Sequence, residues 1–293
     1  MEPQQRRPRW ISYAAAPGAP PPAGGAHLDR VLYGLMQPLL GARMLLRHPE
    51  LRRAALVPAL LLAGFCALVA LLGTIGEPPL SVFRRFYEVF ALLAPLPSVL
   101  LAGHYARLAV LARDKLGLGA SSACVEPLWR AAKRAIFQAI LIAIALAPAT
   151  LLLHLVPVAG AVLVKVVAAL WALHWIVIDA FDSARTLAPG ETVVGMHARA
   201  LTAPCPWFVR IMQGVGERLP LVGRLLRWFA RRCDRMALPW REEMALIERH
   251  LSLAAGFALA TAALLAIPGL NLLFRPIVLI GAVHVAGRLE GEG

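Results

Sequence analysis

The stretch from Leu251 to Gly287, LSLAAGFALATAALLAIPGLNLLFRPIVLIGAVHVAG, runs thirty-seven residues with a single formal charge, Arg275. One apolar run of that length exceeds the roughly 20 residues that a single membrane span needs. Interrupted at Pro268-Gly269, it divides into pieces of seventeen and eighteen residues. Each piece would be about 25 Å long at 1.5 Å per residue, slightly short for a hydrocarbon core of roughly 30 Å. The expectation is a pair of short helices turning on Pro-Gly, with Asn271 and Arg275 beside the turn.

Composition places the rest of the chain in the same environment. Hydrophobic residues are 59% and charged residues 16%, with mean hydropathy +0.66, so a soluble fold is excluded. The net charge of +13 raises the question of nucleic acid. The basic residues, however, sit between the apolar runs and do not line a face of a soluble domain, so nucleic acid is not expected as a partner. Only Lys115, Lys133 and Lys165 are lysines; arginine supplies the remainder, and its planar fork suits phosphate head groups. Cys66, Cys124, Cys205 and Cys233 show no paired spacing, and His104, His154, His174 and His284 are scattered through or near apolar stretches. Neither a metal nor a disulfide is expected. No nucleophile, zinc, nucleotide or dinucleotide motif occurs. The chain reads as a non-enzyme without cofactors.

The fold class is all-α: a polytopic helical membrane protein with about six apolar helices and an amphipathic cytoplasmic insertion. Residues 1–27 are rich in Pro, Ala and Gly without apolar periodicity, and read as a disordered tail. Three arginines open it, but no apolar core of 7–15 residues follows, so it does not read as a signal peptide. Residues 28–202 form the first part of the membrane domain. Its lead-in, 28–53, alternates leucine with arginine as an interfacial helix would, with breaks expected near Pro38 and His48-Pro49. Apolar spans follow at Ala54–Gly76, about Val89–Gly103, Ala135–Val156 and Ala161–Ile178. Residues 251–287 complete the domain, and 288–293 are a tail.

Lys and Arg are dense before Ala54, sparse in the loop from Glu77 to Glu88, dense after the second span, absent from the turn after the third, and dense again over residues 181–250. That alternation fits six crossings with both termini cytoplasmic, in a bacterial inner membrane. Uncharged turns join spans three and four at Pro157–Gly160 and spans five and six at Pro268-Gly269. Each pair is readable as two crossings or as a partially inserted hairpin, and the charge rule does not separate the two.

Residues 203–250 stand apart as the insertion. Within them Leu221, Val222, Leu225, Leu226, Phe229, Cys233 and Met236 form one helical stripe, with Arg224, Arg227, Arg231 and Arg235 recurring on the other face. With Trp228 and Trp240 nearby, that pattern suits anionic head groups at a bilayer surface. The alternative is a soluble helix packing on the rest of the chain.

Three segments carry a family resemblance. LLRHPELRRAALVPALL resembles the opening of CysZ-type sulfate permeases, which belong with the etoposide-induced-protein family. VPVAGAVLVKVVAALWALHWIVIDAFDSA is similar to that family's Pro-Gly turn and Trp-containing helix, and AIPGLNLLFRPIVLIGAVHVAG to its Ile-Pro-x-Leu-Asn-Leu pattern. Order and spacing agree over roughly 35–286, outside the 203–250 insertion. The resemblance implies full spans plus a partially inserted hairpin, a homo-oligomer, and passage of sulfate, with Arg52 or Arg53 near the anion path. Where the family carries an acidic motif after its second span, this chain reads Val110-Leu111-Ala112-Arg113-Asp114-Lys115, so Arg113 stands in the acidic position.

Physical chemistry adds the remaining anion-path candidates. Oxyanion binding requires replacing hydration with N–H groups and positive charge, which broken helices supply at their N-termini. Asn271 would satisfy backbone exposed at the Pro268-Gly269 break, and Arg275 lies one turn beyond it. Lys165 stands in the same relation to Pro157 and Gly160. A charged residue inside a span faces protein or water more often than lipid, with snorkelling to head groups as the competing reading. Two functions are expected from these features: a permease for a small inorganic anion, or a non-transporting scaffold that binds lipid or a partner through residues 203–250.

Overall fold

The computed structural model describes residues 13–22, 27–75, 78–93, 100–154, 156, 159–219, 222–266 and 271–290. It is all-α, with one minimal antiparallel ladder of β1 (Ser122–Ala123) and β2 (Thr186–Leu187), in which Ser122 lies opposite Leu187. The chain divides into two compact units: 1–126 with 183–189 and 252–293, and 127–182 with 190–251.

The first unit is organised by helix α1, His27–Arg47. Its buried positions, Tyr33, Gly34, Gln37, Pro38, Leu40, Gly41 and Met44, recur every three or four residues and so form one stripe. The break expected near Pro38 is absent, because the helix continues through it. The backbone of Gly281 approaches the Gln37–Pro38 peptide, and a proline there leaves no N–H to be orphaned by the contact. The break at His48-Pro49 does occur: His48 is extended and Pro49 opens helix α2, Pro49–Gly73.

Two further helices clamp α1: α12, Leu251–Leu265, and α13, Asn271–Glu290. A Cβ placed on Gly34 would fall on the carbonyl oxygen of Leu253, one on Gly256 on that of Val31, and one on Gly41 on that of Ile277. These helices therefore meet backbone to backbone, as small residues allow. The register of Gly41 with Ile277 against Gln37 with Gly281 makes α1 antiparallel to α13, while Gly34 and Gly256 mark the point where α1 and α12 cross. Helix α13 also runs beyond Gly287, so the expected tail at 288–293 begins inside a helix.

Helix α2 has its large residues on the outside. Ala55, Ala59, Cys66 and Ala70 face inward, while Val57, Leu60, Phe65, Leu68 and Leu72 point outward, Leu60 with 66% of its surface exposed against 0% for Cys66. Small residues within and large apolar residues without is the arrangement a lipid solvent favours, because apolar surface facing lipid costs nothing. Of the stretch expected to form a second span, about Val89–Gly103, residues 94–99 lie outside the described residues; helix α3 covers Pro79–Leu93 and helix α4 covers Ala102–Lys115.

The second unit contains α5 (Leu128–Ala145), α6 (Ala147–His154) and α7 (Ala159–Ser183). The combined stretch Leu128–His154 has only 11% of its apolar window buried. Gly160 lies so close to Leu153 that a Cβ would strike its carbonyl oxygen, which explains the glycine at the turn into α7. Trp171 of α7 donates its indole N–H to the Ile142 carbonyl at 3.0 Å, and Arg134 of α5 pairs with Asp182 at 3.0 Å.

The segment read as a free-standing insertion is part of this unit. It forms α8 (Val193–Thr202), α9 (Trp207–Arg218), α10 (Gly223–Ala237), a 3-10 turn at Leu238–Trp240, and α11 (Arg241–Arg249). Its anchor is aromatic: Trp171 meets Phe208 edge-on at 5.2 Å, and Trp175 meets the fully buried Trp240 at 5.8 Å. Such edge-to-face pairs contribute about 0.5–1.5 kcal/mol beyond the area they bury.

Among the described residues, three helical stretches are long and apolar enough to cross a membrane: Pro49–Gly73, Leu128–His154 and Ala159–Ser183, with Leu251–Leu265 a shorter apolar helix.

Candidate functional site

The anion-path candidates lie on several elements. Arg52 and Arg53 are exposed in the first turn of α2, beside the buried Leu51. The last turn of α4 is tied to two elements: Lys115 pairs with Glu50 of α2 at 3.1 Å, and Arg113 pairs with Glu290 of α13 at 2.8 Å. Arg113 is therefore charge-compensated. Arg275 is half-buried on α13, roughly 22 Å along the helix from Glu290 at 1.5 Å per residue. Lys165 lies in the other unit, exposed among the outward Val162, Leu163 and Val166 of α7. Asn271 is the first residue of α13, but its side chain, like Pro157, Pro268 and Gly269, falls outside the described residues.

What the first unit brings together is a buried polar junction. Gln37 and His284 are fully buried, and the His284 ring shares a 2.8 Å hydrogen bond through Nδ1 with Gln37 Oε1. Its Nε2 accepts from the Gly18 N–H at 3.2 Å, so Nδ1 carries the proton and donates to Gln37. Gln37 Nε2 in turn donates to the carbonyls of Tyr33 at 3.0 Å and Ala14 at 3.2 Å. The Tyr33 hydroxyl donates to the Ala19 carbonyl at 2.8 Å. Residues 13–22, expected to belong to a disordered tail, are packed here, with Ala14, Ala15 and Ala19 buried. Composition hid this because the segment's own side chains are featureless; its polar partners sit on helices 8 to 266 residues away. A buried glutamine on the inner stripe of α1 was the sequence signal, since buried amides need partners.

The second unit presents a charged outer face. On α10 the buried line is Gly223, Ala230, Cys233 and Ala237, not the full apolar stripe. Leu225 is left 63% exposed and Trp228 49%, and Leu221 lies outside the described residues. The helix's one acid, Asp234, is turned inward to Arg241 at 2.5 Å, and Arg227 donates to the Gly216 carbonyl at 2.6 Å. Arg224, Arg231, Arg232 and Arg235 remain on the exposed side with no acidic partner among the described residues, Arg232 stacked 5.5 Å over Trp228. On α9, Glu248 accepts the Trp207 N–H at 2.7 Å and pairs with Arg210 at 2.6 Å, placing a carboxylate at a helix N-terminus where the dipole favours it.

All four cysteines are free thiols. Burial, reinforced by the adjacent Asp234 carboxylate, pushes the Cys205 thiol up to about 11; burial and the same charge hold Cys233 at about 11. A raised thiol pKa favours the protonated folded state, so this stabilisation is present below the ordinary value of 9.0 and is lost as pH rises through about 11. At pH 8, iodoacetamide should modify both residues far more slowly in the native protein than in denaturant, with mass-resolved labelling as the measurement. Equal rates in the two states would overturn this assignment. Among the described residues, no cluster of His, Cys, Asp or Glu has the arrangement of a metal site.

Fold and sites together define an all-α chain with, among the described residues, three helices long and apolar enough for a membrane, a strapped polar junction in one unit and an arginine-rich outer face in the other. No family model, curated protein or solved structure matches it.

Proposed function

We propose that the chain is an integral membrane protein that mediates passage of a small inorganic anion, sulfate-like in chemistry, across a bacterial inner membrane as a homo-oligomer with both termini cytoplasmic. The observation that carries the reading is the start of α2. The helix exposes large apolar residues along its length yet opens with Arg52 and Arg53, both exposed and without an acidic partner among the described residues. Cations in a first turn oppose the helix dipole, so this arrangement is favourable chiefly when an anion is present to be held by guanidinium and backbone N–H groups together. The likeness of the Leu251–Gly287 stretch to sulfate permeases supplies the substrate class.

The experiment is flux of radiolabelled sulfate into proteoliposomes. Arg52→Ala and Arg275→Ala are expected to lower uptake at least tenfold with normal protein levels. Unchanged flux in both variants would remove the pathway assignment.

The outer face of α10 favours a second reading, a scaffold held on anionic head groups. Exposed Trp228 and Leu225 beside four uncompensated arginines suit the apolar and phosphate layers of a bilayer surface. Reversing Arg224, Arg231, Arg232 and Arg235 to glutamate, which leaves the buried face of α10 intact, would separate the two: a permease core keeps its flux, whereas a scaffold loses its function.

A further inference from the structure

We infer that the groove between α1 and α13 is a binding site for a turn-forming, small-residue peptide, and that residues 13–22, folded through the turns Tyr13–Ala16 and Ala16–Ala19, occupy it as a ligand supplied by the chain itself. Four of the five hydrogen bonds run from receptor side chains to strap carbonyls, and the fifth runs from the strap backbone to a receptor ring. The carbonyls of Ala14, Ala15, Ala19 and Pro22 accept from Gln37, Arg43, Tyr33 and Arg30 respectively, and the Gly18 N–H donates to His284. The strap therefore runs antiparallel to α1, from Gln37 past Tyr33 to Arg30, with α13 contributing His284 and Arg288.

Size, not side-chain chemistry, selects the occupant. Ala14, Ala15 and Ala19 retain 1%, 5% and 4% of their surface, so larger residues do not fit. Gly18 adopts φ +82°, a conformation that L side chains rarely take, and a Cβ there would press on the Arg288 guanidinium at 2.8 Å. Prolines at 17, 20, 21 and 22 restrict the free segment before it docks, which lowers the entropic cost of binding. Tethering to α1 through residues 23–26 holds the strap at high effective concentration.

The test is made on the full chain, with a site-specific protease sequence replacing residues 23–26 and cleaved after purification. The 1–22 fragment is expected to co-elute with the remainder and to be displaced by excess synthetic peptide of residues 13–22. The same peptide carrying Gly18→Leu should compete at least tenfold less well. Gln37→Leu in the receptor should weaken retention more than tenfold; if that variant does not fold, Tyr33→Phe removes one hydroxyl only and should weaken it several-fold. Immediate loss of the fragment from the cleaved protein, or equal competition by the Gly18→Leu peptide, would overturn the assignment.

Discussion

Replacing Gly256 with leucine is expected to abolish recovery of folded protein, while Gly64→Leu leaves it unchanged. At Gly256 the obstructing atoms are the Val31 carbonyl and the Leu35 nitrogen, both main-chain groups in the middle of a helix. A side-chain neighbour could rotate away, but a helical backbone can retreat only by moving the whole element. Overpacking commonly costs 1–3 kcal/mol where side chains can adjust, so a backbone clash should exceed about 3 kcal/mol, a large part of the 5–15 kcal/mol that holds a typical domain folded. Gly34→Leu, which meets the Leu253 carbonyl across the same interface, should behave alike. Gly64 has open space around it on the outward side of α2. Monodisperse yield after detergent extraction and thermal unfolding of the extracted protein would measure the difference. A folded, monodisperse Gly256→Leu protein would refute the backbone-contact geometry.

The second large effect is expected on the outer face of α10. In proteoliposomes containing anionic lipid, brominated phosphatidylglycerol should quench the part of the fluorescence that is lost on Trp228→Phe. Reversing Arg224, Arg231, Arg232 and Arg235 together to glutamate should eliminate that quenching. A basic residue near an anionic surface contributes about 1 kcal/mol, so four neutralisations alone amount to a roughly 10³-fold change in the docked population, and reversal adds repulsion. Because the Debye length falls from about 10 Å at 0.1 M salt to 3 Å at 1 M, high salt should mimic the variant. Quenching that persists in the reversed variant, or that is equally strong in purely zwitterionic vesicles, would exclude electrostatic docking. Arginine-dependent capture of RNA by the protein in zwitterionic vesicles would point instead to a polyanion partner.

Several elements were legible residue by residue. The His48-Pro49 break follows from proline's preference for a first helical turn, and Gly160 from a turn too tight for a Cβ. The Leu251–Gly287 stretch does contain two helices, α12 and α13. The Pro38 break was misread because a proline's local cost takes no account of packing: α1 is gripped along the same stripe by α12 and α13. Arg113 was legible as a cation but not as one already neutralised, since its partner Glu290 is 177 residues away.

By itself, the sequence determined the solvent this chain suits and its helical class, because hydropathy and helical period are sums over neighbouring residues and need no partner. Tertiary structure alone decided which face of α2 turns inward, that residues 203–250 share a unit with α5 and α7, and that residues 13–22 are a seated strap. Those outcomes depend on backbone groups far apart in the chain meeting within hydrogen-bond distance. The strap is the clearest case: alanine, glycine and proline carry almost no pattern of their own, so its order comes from the donors that Tyr33, Gln37 and His284 bring to it.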